Sequence, residues 1–200
     1  MEIANNYEVN KLTKPIKVVG IDASLTGTGL CRLNLLIDTC ETALILTKHF
    51  GVDRLITIRD RVLEWCQGAE LIVIEGYAYG KQNQAHQMGE LGGVLRVALT
   101  EAGLKWVEVA PTAVKKFATG KGTASKEEVA VGIYKRWGKE FPNNNEADAF
   151  ALCKIGEALA LEPPGLTAFQ KEVMETIKSG KANNKENKPK KSKKKGVAQA

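Results

Sequence analysis

Apolar residues follow two rhythms along this chain. Dense apolar runs bounded by glycine or polar clusters predict strands: IKVVGID at 16–22, LCRLNLLI at 30–37, ALILTKHF at 43–50, LIVIE at 71–75 and KWVEV at 105–109. The first three are separated by short links and predict an antiparallel meander. Apolar positions recurring every three or four residues predict helices. Leu55, Ile58, Val62 and Trp65 mark one that Gly68 ends, and Met88, Leu91, Leu95 and Leu99 mark a long one over 82–102. Pro111 opens a short helix ending near Phe117. Ser125 and Glu128 form a capping box for a helix from Lys126 to Trp137. NEADAFALCKIGEALAL predicts a helix over 145–161, and a shorter one follows at 167–178. Three strands, a helix, a strand, a helix, a strand and further helices predict an α/β fold, a mixed five-stranded sheet flanked by helices.

Charge divides the chain more sharply than hydropathy does. Residues 181–200 carry eight lysines and one glutamate, which leaves the first 180 residues near −1 out of a net +6. The chain is therefore expected to consist of an N-terminal extension (1–15), a compact domain (16–162), a C-terminal helix (163–180) and a lysine-rich tail (181–200). A tail such as KENKPKKSKKKG has almost nothing to bury; it either attracts a polyanion through counterion release or serves as a solubilising end. Four cysteines lack CxxC spacing and two histidines lie far apart, so no local zinc motif is present. No apolar run approaches the ~18 residues of a membrane span, and MEIANNYEVNK lacks a secretory pattern, so a cytoplasmic protein with no membrane partner is expected.

Two strands end on an acid. Asp22 closes IKVVGID and Glu75 closes LIVIE. If the strands are neighbours, both acids sit at the carboxyl edge of the sheet, where α/β proteins place their ligands. Asp148, in the first turn of a helix after the last strand, can complete the cluster. Crowded carboxylates repel one another and call for divalent cations, and oxygen-only ligands point to magnesium or manganese instead of zinc.

GIDASLTGTGL, VIEGYAYG, the helix containing GELGGVL, VAPTAVKKFATGKGTASKEEV and NEADAFAL appear in the order and at spacings similar to those of the RuvC family of Holliday junction resolvases, over roughly residues 17–160. The resemblance implies an RNase H-like fold, a homodimer, and magnesium-dependent cutting of four-way or otherwise branched DNA, including forks and flaps, with manganese able to substitute. Asp22, Glu75 and Asp148 match three of the family's acids. The fourth lies three residues before Asp148, which here is Asn145; Glu146 is expected to supply the missing carboxylate, with Asn145 as the alternative. The family's two lysines map to Lys115 and Lys126. Lys126 is expected to contact the scissile phosphate, and Lys115 to grip the DNA backbone with Lys116 and Lys121 nearby. Where the family often carries an aromatic wedge, this chain has Ala78, so Tyr77 or Tyr79 is expected to stack on a base. GIDASLTGTG also resembles the phosphate loop of sugar-kinase and actin-like ATPases, which need two such domains and hence a longer chain.

Overall fold

The alternation of side chains along β1 (Lys17–Asp22) decides the architecture. Val19 and Ile21 point to one face, and Val18 and Gly20 to the other, and all four are buried. A strand covered on both sides must lie in the middle of a sheet. The computed structural model describes residues 16–76 and 82–179, with the backbone alone over 82–88, and places β1 at the centre of a sheet of order β3-β2-β1-β4-β5. β2 (Thr28–Asn34) and β3 (Thr39–Ile45) continue from β1 as antiparallel neighbours. β4 (Leu71–Glu75) and β5 (Trp106–Val109) are parallel to β1. The N-terminal extension, Tyr77, Ala78, Tyr79 and the lysine-rich tail lie outside the described residues.

Helices α1 (Gly51–Trp65) and α2 (Gln82–Glu101) cover the face carrying Val19, Ile21, Ile72 and Ile74. The other face receives α3 (Pro111–Thr119), α4 (Lys126–Trp137), α5 (Asn144–Leu161) and α6 (Ala168–Lys178). Val173 and Met174 of α6 are buried in this second core, so the C-terminal helix is docked onto the sheet domain. Each such side chain, fully buried, contributes ~1.5–3 kcal/mol. The capping box at Ser125 and Glu128 starts α4, and Pro111 opens α3. All four cysteines are free thiols. Among the described residues no helix is long and apolar enough to cross a membrane.

Two strand boundaries differ from those expected. β2 begins at Thr28 because its hydroxyl donates to Ser24 O and accepts from Ser24 N, closing the loop so that Gly29 pairs directly with Asp22. β3 begins at Thr39 because the hairpin turns through Asp38 at φ 49° and brings Asn34 opposite Thr39. The strand thus spends its length on polar Thr39–Thr42 at a half-exposed edge, and the apolar-looking TKHF tract is left as a loop.

Helix α5 lies unusually close to the sheet. A Cβ at Gly29 would come within 2.1 Å of the Asn145 carbonyl oxygen, and one at Gly20 within 2.1 Å of that of Ala149. Further along, the helix supplies the glycine: a Cβ at Gly156 would meet Val18 Cγ1 at 2.4 Å. The contacts at 145, 149 and 156 fall at helical intervals down one side of α5, so the helix is held in register against β1 and β2.

Candidate active site

The carboxyl ends of β1 and β4 set two acids side by side. Ile21 is in register with Ile74, and one further residue places Asp22 next to Glu75 at the usual strand separation of ~4.8 Å. Period-two alternation then turns both side chains toward the face that Gly20 and Val73 share, the face on which α5 lies. The first turn of α5 contributes Asp148. Asp22 is 8% exposed, and Glu75 and Asp148 are half-buried.

The electrostatics mark this as one site. Burial first, and the Asp148 charge second, push the Asp22 carboxyl up to about 7 against the pull of Lys126 and a hydrogen bond with Glu75. Burial, then the Asp22 and Asp148 charges, push Glu75 up to about 8, opposed by Lys115 and Lys126. Burial also raises Asp148, again opposed by Lys126 and Lys115. Three acids therefore act on one another, and two lysines act on them from α3 and the start of α4. Lys126 occupies the first position of α4, where a cation is disfavoured by the helix N-terminus. Its placement is explained by the acids it faces.

Glu146 does not join them. It is buried, and its carboxylate accepts hydrogen bonds from Thr42 Oγ1 on β3 and from Asn143 Nδ2 at 2.7 Å, while Asn143 caps α5 through the Glu146 amide at 3.0 Å. The helix is already regular at Asn144, so Glu146 is turned ~200° from Asp148, whereas Asn145 is only ~60° away. Asn145 Nδ2 lies 3.1 Å from where a Cβ on Gly27 would be, beside the loop that follows Asp22. Glu146 is thus engaged away from the three acids, and Asn145, the alternative named from the sequence, is the neighbour that faces the loop after Asp22, with an amide and no charge. Lys116 also faces elsewhere: it pairs with Glu172 of α6 at 2.5 Å. Lys121 remains exposed, 3.5 Å from Glu128.

Thr42 and Asn143 were not among the expected site residues; Asn143 carries a signal as an N-cap candidate, while Thr42 is placed only by the tertiary fold. Glu108 is a third supporting residue. It accepts from Arg96 of α2 at 2.8 Å, and a Cβ on Gly76 would meet its carboxylate at 2.7 Å, so this pair braces the segment leaving Glu75. Its signal is an acid inside the otherwise apolar KWVEV.

Among the described residues no three acidic, histidine or cysteine side chains close tightly enough to cage a cation unaided. The donor set nevertheless suits one. Its carboxylates are partly desolvated and mutually repelling, a state relieved either by a shared proton or by a hard cation that prefers oxygen.

A mixed sheet of this order, with acids gathered at the ends of adjacent parallel strands and on the helix across them, is the RNase H-like arrangement of a nuclease. The chain belongs to the RuvC family: the family model described as "Crossover junction endodeoxyribonuclease RuvC" matches residues 18–154. A Sinorhizobium fredii protein of that name is 27% identical over 146 residues, covering 68% of this chain and 86% of the relative. The Thermus thermophilus RuvC structure superposes with a TM-score of 0.55 at 28% identity, covering 69% of this chain and 91% of that one. A second structure, of T. thermophilus RuvC in complex with a Holliday junction substrate, gives 0.56 at 26% identity, covering 69% and 90%. The family consists of metal-dependent nucleases, and this chain is an enzyme of that kind.

Proposed function

We propose that the chain is a structure-selective endonuclease that resolves Holliday junctions and other branched DNA by divalent-cation-dependent phosphodiester hydrolysis, leaving 5′-phosphate and 3′-hydroxyl ends. The observation that carries this reading is the meeting of Asp22, Glu75 and Asp148 with Lys115 and Lys126 at one end of a RuvC-family sheet. The three carboxylates would hold the cations, magnesium by preference with manganese as substitute, and Asn145 would add a neutral oxygen. When bound, two such ions supply a metal-activated water and countercharge for the leaving oxygen. Lys126 meets the charge that develops on the scissile phosphate, in a partly desolvated site where a fixed cation is most effective. Lys115, on the neighbouring helix, holds an adjacent phosphate.

A four-way junction presents two equivalent strands, and a twofold homodimer would set two such sites about one axis. Helix α2 is the face we assign to that contact. A Cβ at Gly93 would meet no atom of the described residues within 4 Å, and Val97, one further turn along, is 57% exposed.

The reading is tested by presenting purified protein with a four-way junction, a fork, a flap and linear duplex in parallel, with magnesium and with chelator. Magnesium-dependent cutting of the branched substrates into religatable ends is expected. Failure to cut any of them, or equal cutting of linear duplex, would overturn it.

A further inference from the structure

Phe50 stands out on the surface. It is 78% exposed, at the junction between β3 and α1, and Leu46, Val52 and Ile56 beside it in sequence are also exposed. An apolar ring left in water is ordinarily held by nothing; here the loop beneath it is fastened at several points. His49 N donates to Thr47 Oγ1 at 3.1 Å, His49 Nδ1 lies 2.8 Å from Thr57 Oγ1, and Arg54 Nε donates to His49 O at 2.8 Å. Arg54 also places its guanidinium over the Phe50 ring, 5.1 Å from the centroid. The ring thus stands on a hydrogen-bonded loop with a cation against it.

Its position in the fold gives it a use. β1 and β3 both run antiparallel to β2, so β3 ends at the same edge of the sheet as Asp22, and the loop that leaves it carries Phe50 on from there. Leu46, at the start of that loop, is 3.5 Å from a Cβ built on Gly27, the residue beside Asn145. The apolar strip is therefore continuous with the rim of the carboxylate site. Arg54 lies over the ring and Lys48 is two residues before it in sequence, against a single nearby acid, Asp53, whose place in the first turn of α1 suits the helix N-terminus. An exposed aromatic ring with a cation against it in a basic stretch is the pattern that stacks a base while holding its phosphate.

We propose that Phe50, supported by Arg54, stacks on an unpaired base beside the branch point and so helps select branched DNA over duplex. This rests on the reading that the chain acts on branched DNA. A duplex offers no unstacked base to this ring, whereas a branch point offers several. Lys48 contributes a phosphate contact that both kinds of DNA can make.

The experiment uses the full-length protein in calcium, which supports binding without the need for turnover, and a four-way junction carrying 2-aminopurine at positions flanking the branch, with linear duplex of the same sequence alongside. Wild type is expected to quench 2-aminopurine at one position. Phe50→Ala should weaken junction binding about tenfold, within the range of one base stacked on an aromatic ring, abolish that quench and leave duplex binding unchanged. Phe50→Trp should retain both, which excludes a folding defect. Lys48→Ala should weaken junction and duplex binding alike. Junction affinity unchanged in Phe50→Ala would overturn the proposal, as would a loss accompanied by dissociation of a dimer in light scattering, since the ring would then pack against a second copy. A wild type that binds no branched DNA would instead defeat the functional reading itself.

Discussion

Glu146 on α5 accepts a hydrogen bond from Thr42 on β3, 104 residues earlier in the chain. The bond fastens the start of the helix that carries Asp148 to the edge strand of the sheet, and Asn143 completes the bracket from the cap position. Asn145, between the two, is left facing the loop after Asp22.

Glu146→Ala should therefore cost stability more than chemistry. Removing the acceptor breaks two hydrogen bonds from half-buried donors that water can reach, at about 0.5–1.5 kcal/mol each, while cleavage per folded molecule should fall by no more than a few-fold. Asn145→Ala should do the reverse, leaving the melting temperature within a degree or two and slowing cleavage about tenfold or more. Thermal melts and single-turnover cleavage on the same samples decide it; a dead but fully stable Glu146→Ala protein would return Glu146 to the metal site.

Asp22→Asn and Glu75→Gln are expected to abolish cleavage, by at least a factor of 1,000, with junction binding intact or tighter. Each removes a charge at nearly constant shape from a site crowded with acids, whereas affinity for DNA comes chiefly from cations meeting phosphates. Gel-shift and cleavage assays with magnesium separate the two effects. Mutants that cut at the normal rate would remove these acids from the active site.

The lysines should separate by direction. Lys126→Ala is expected to lower the cleavage rate with little change in affinity, and Lys115→Ala to weaken binding as well. Lys116→Ala should leave both unchanged and slightly loosen α6, because its partner is Glu172; an exposed pair of this kind contributes about 0–1 kcal/mol. A binding defect in Lys116→Ala comparable to that of Lys115→Ala would show that the pair opens to reach DNA.

Protonation should report on the acids without any substrate. Asp22 and Glu75 have reference values of 3.8 and 4.5 and are raised in the folded chain toward about 7 and 8, first by burial. Between these limits the folded state holds more protons than the unfolded state, so stability falls as pH rises. The stabilising contribution is complete only below the unfolded values of 3.8 and 4.5 and is lost as pH rises through about 7 and 8, amounting to a few kcal/mol for the pair. Metal-free protein should accordingly melt at lower temperature at pH 8 than at pH 5.5, millimolar magnesium should recover much of the difference, and Asp22→Asn should flatten the dependence. A flat profile in the wild type would show that these acids are better solvated than their burial implies.

How much of the fold and site is legible in the sequence follows from the range of the forces involved. IKVVGID and LIVIE declare buried strands through local composition, and a terminal acid on each is visible in the same run. Ser125 and Glu128 announce a helix start because capping is a contact between residues three apart. Local composition extends β3 through TKHF, while its pairing over Thr39–Ile45 is settled by the turn at Asp38 and the register Asn34 opposite Thr39. Counting charges favours Glu146 as a fourth carboxylate, but the side chain is engaged elsewhere in the fold. Its true partner, Thr42, lies in a different part of the chain and gives no local sign.

The absence of side chains at Gly20 and Gly29, with the helix backbone resting on both strands, means that the separation between Asp22 and Asp148 is set by the thickness of bare main chain. Such a spacing behaves like a machined tolerance: substitutions elsewhere in the core can relax around it, but enlarging either glycine by a single methyl would jack α5 off the sheet and widen the jaw that the two acids form. The loops at the rim, where Phe50 and its neighbours stand, carry no such constraint, so a change there leaves the gauge between the acids untouched.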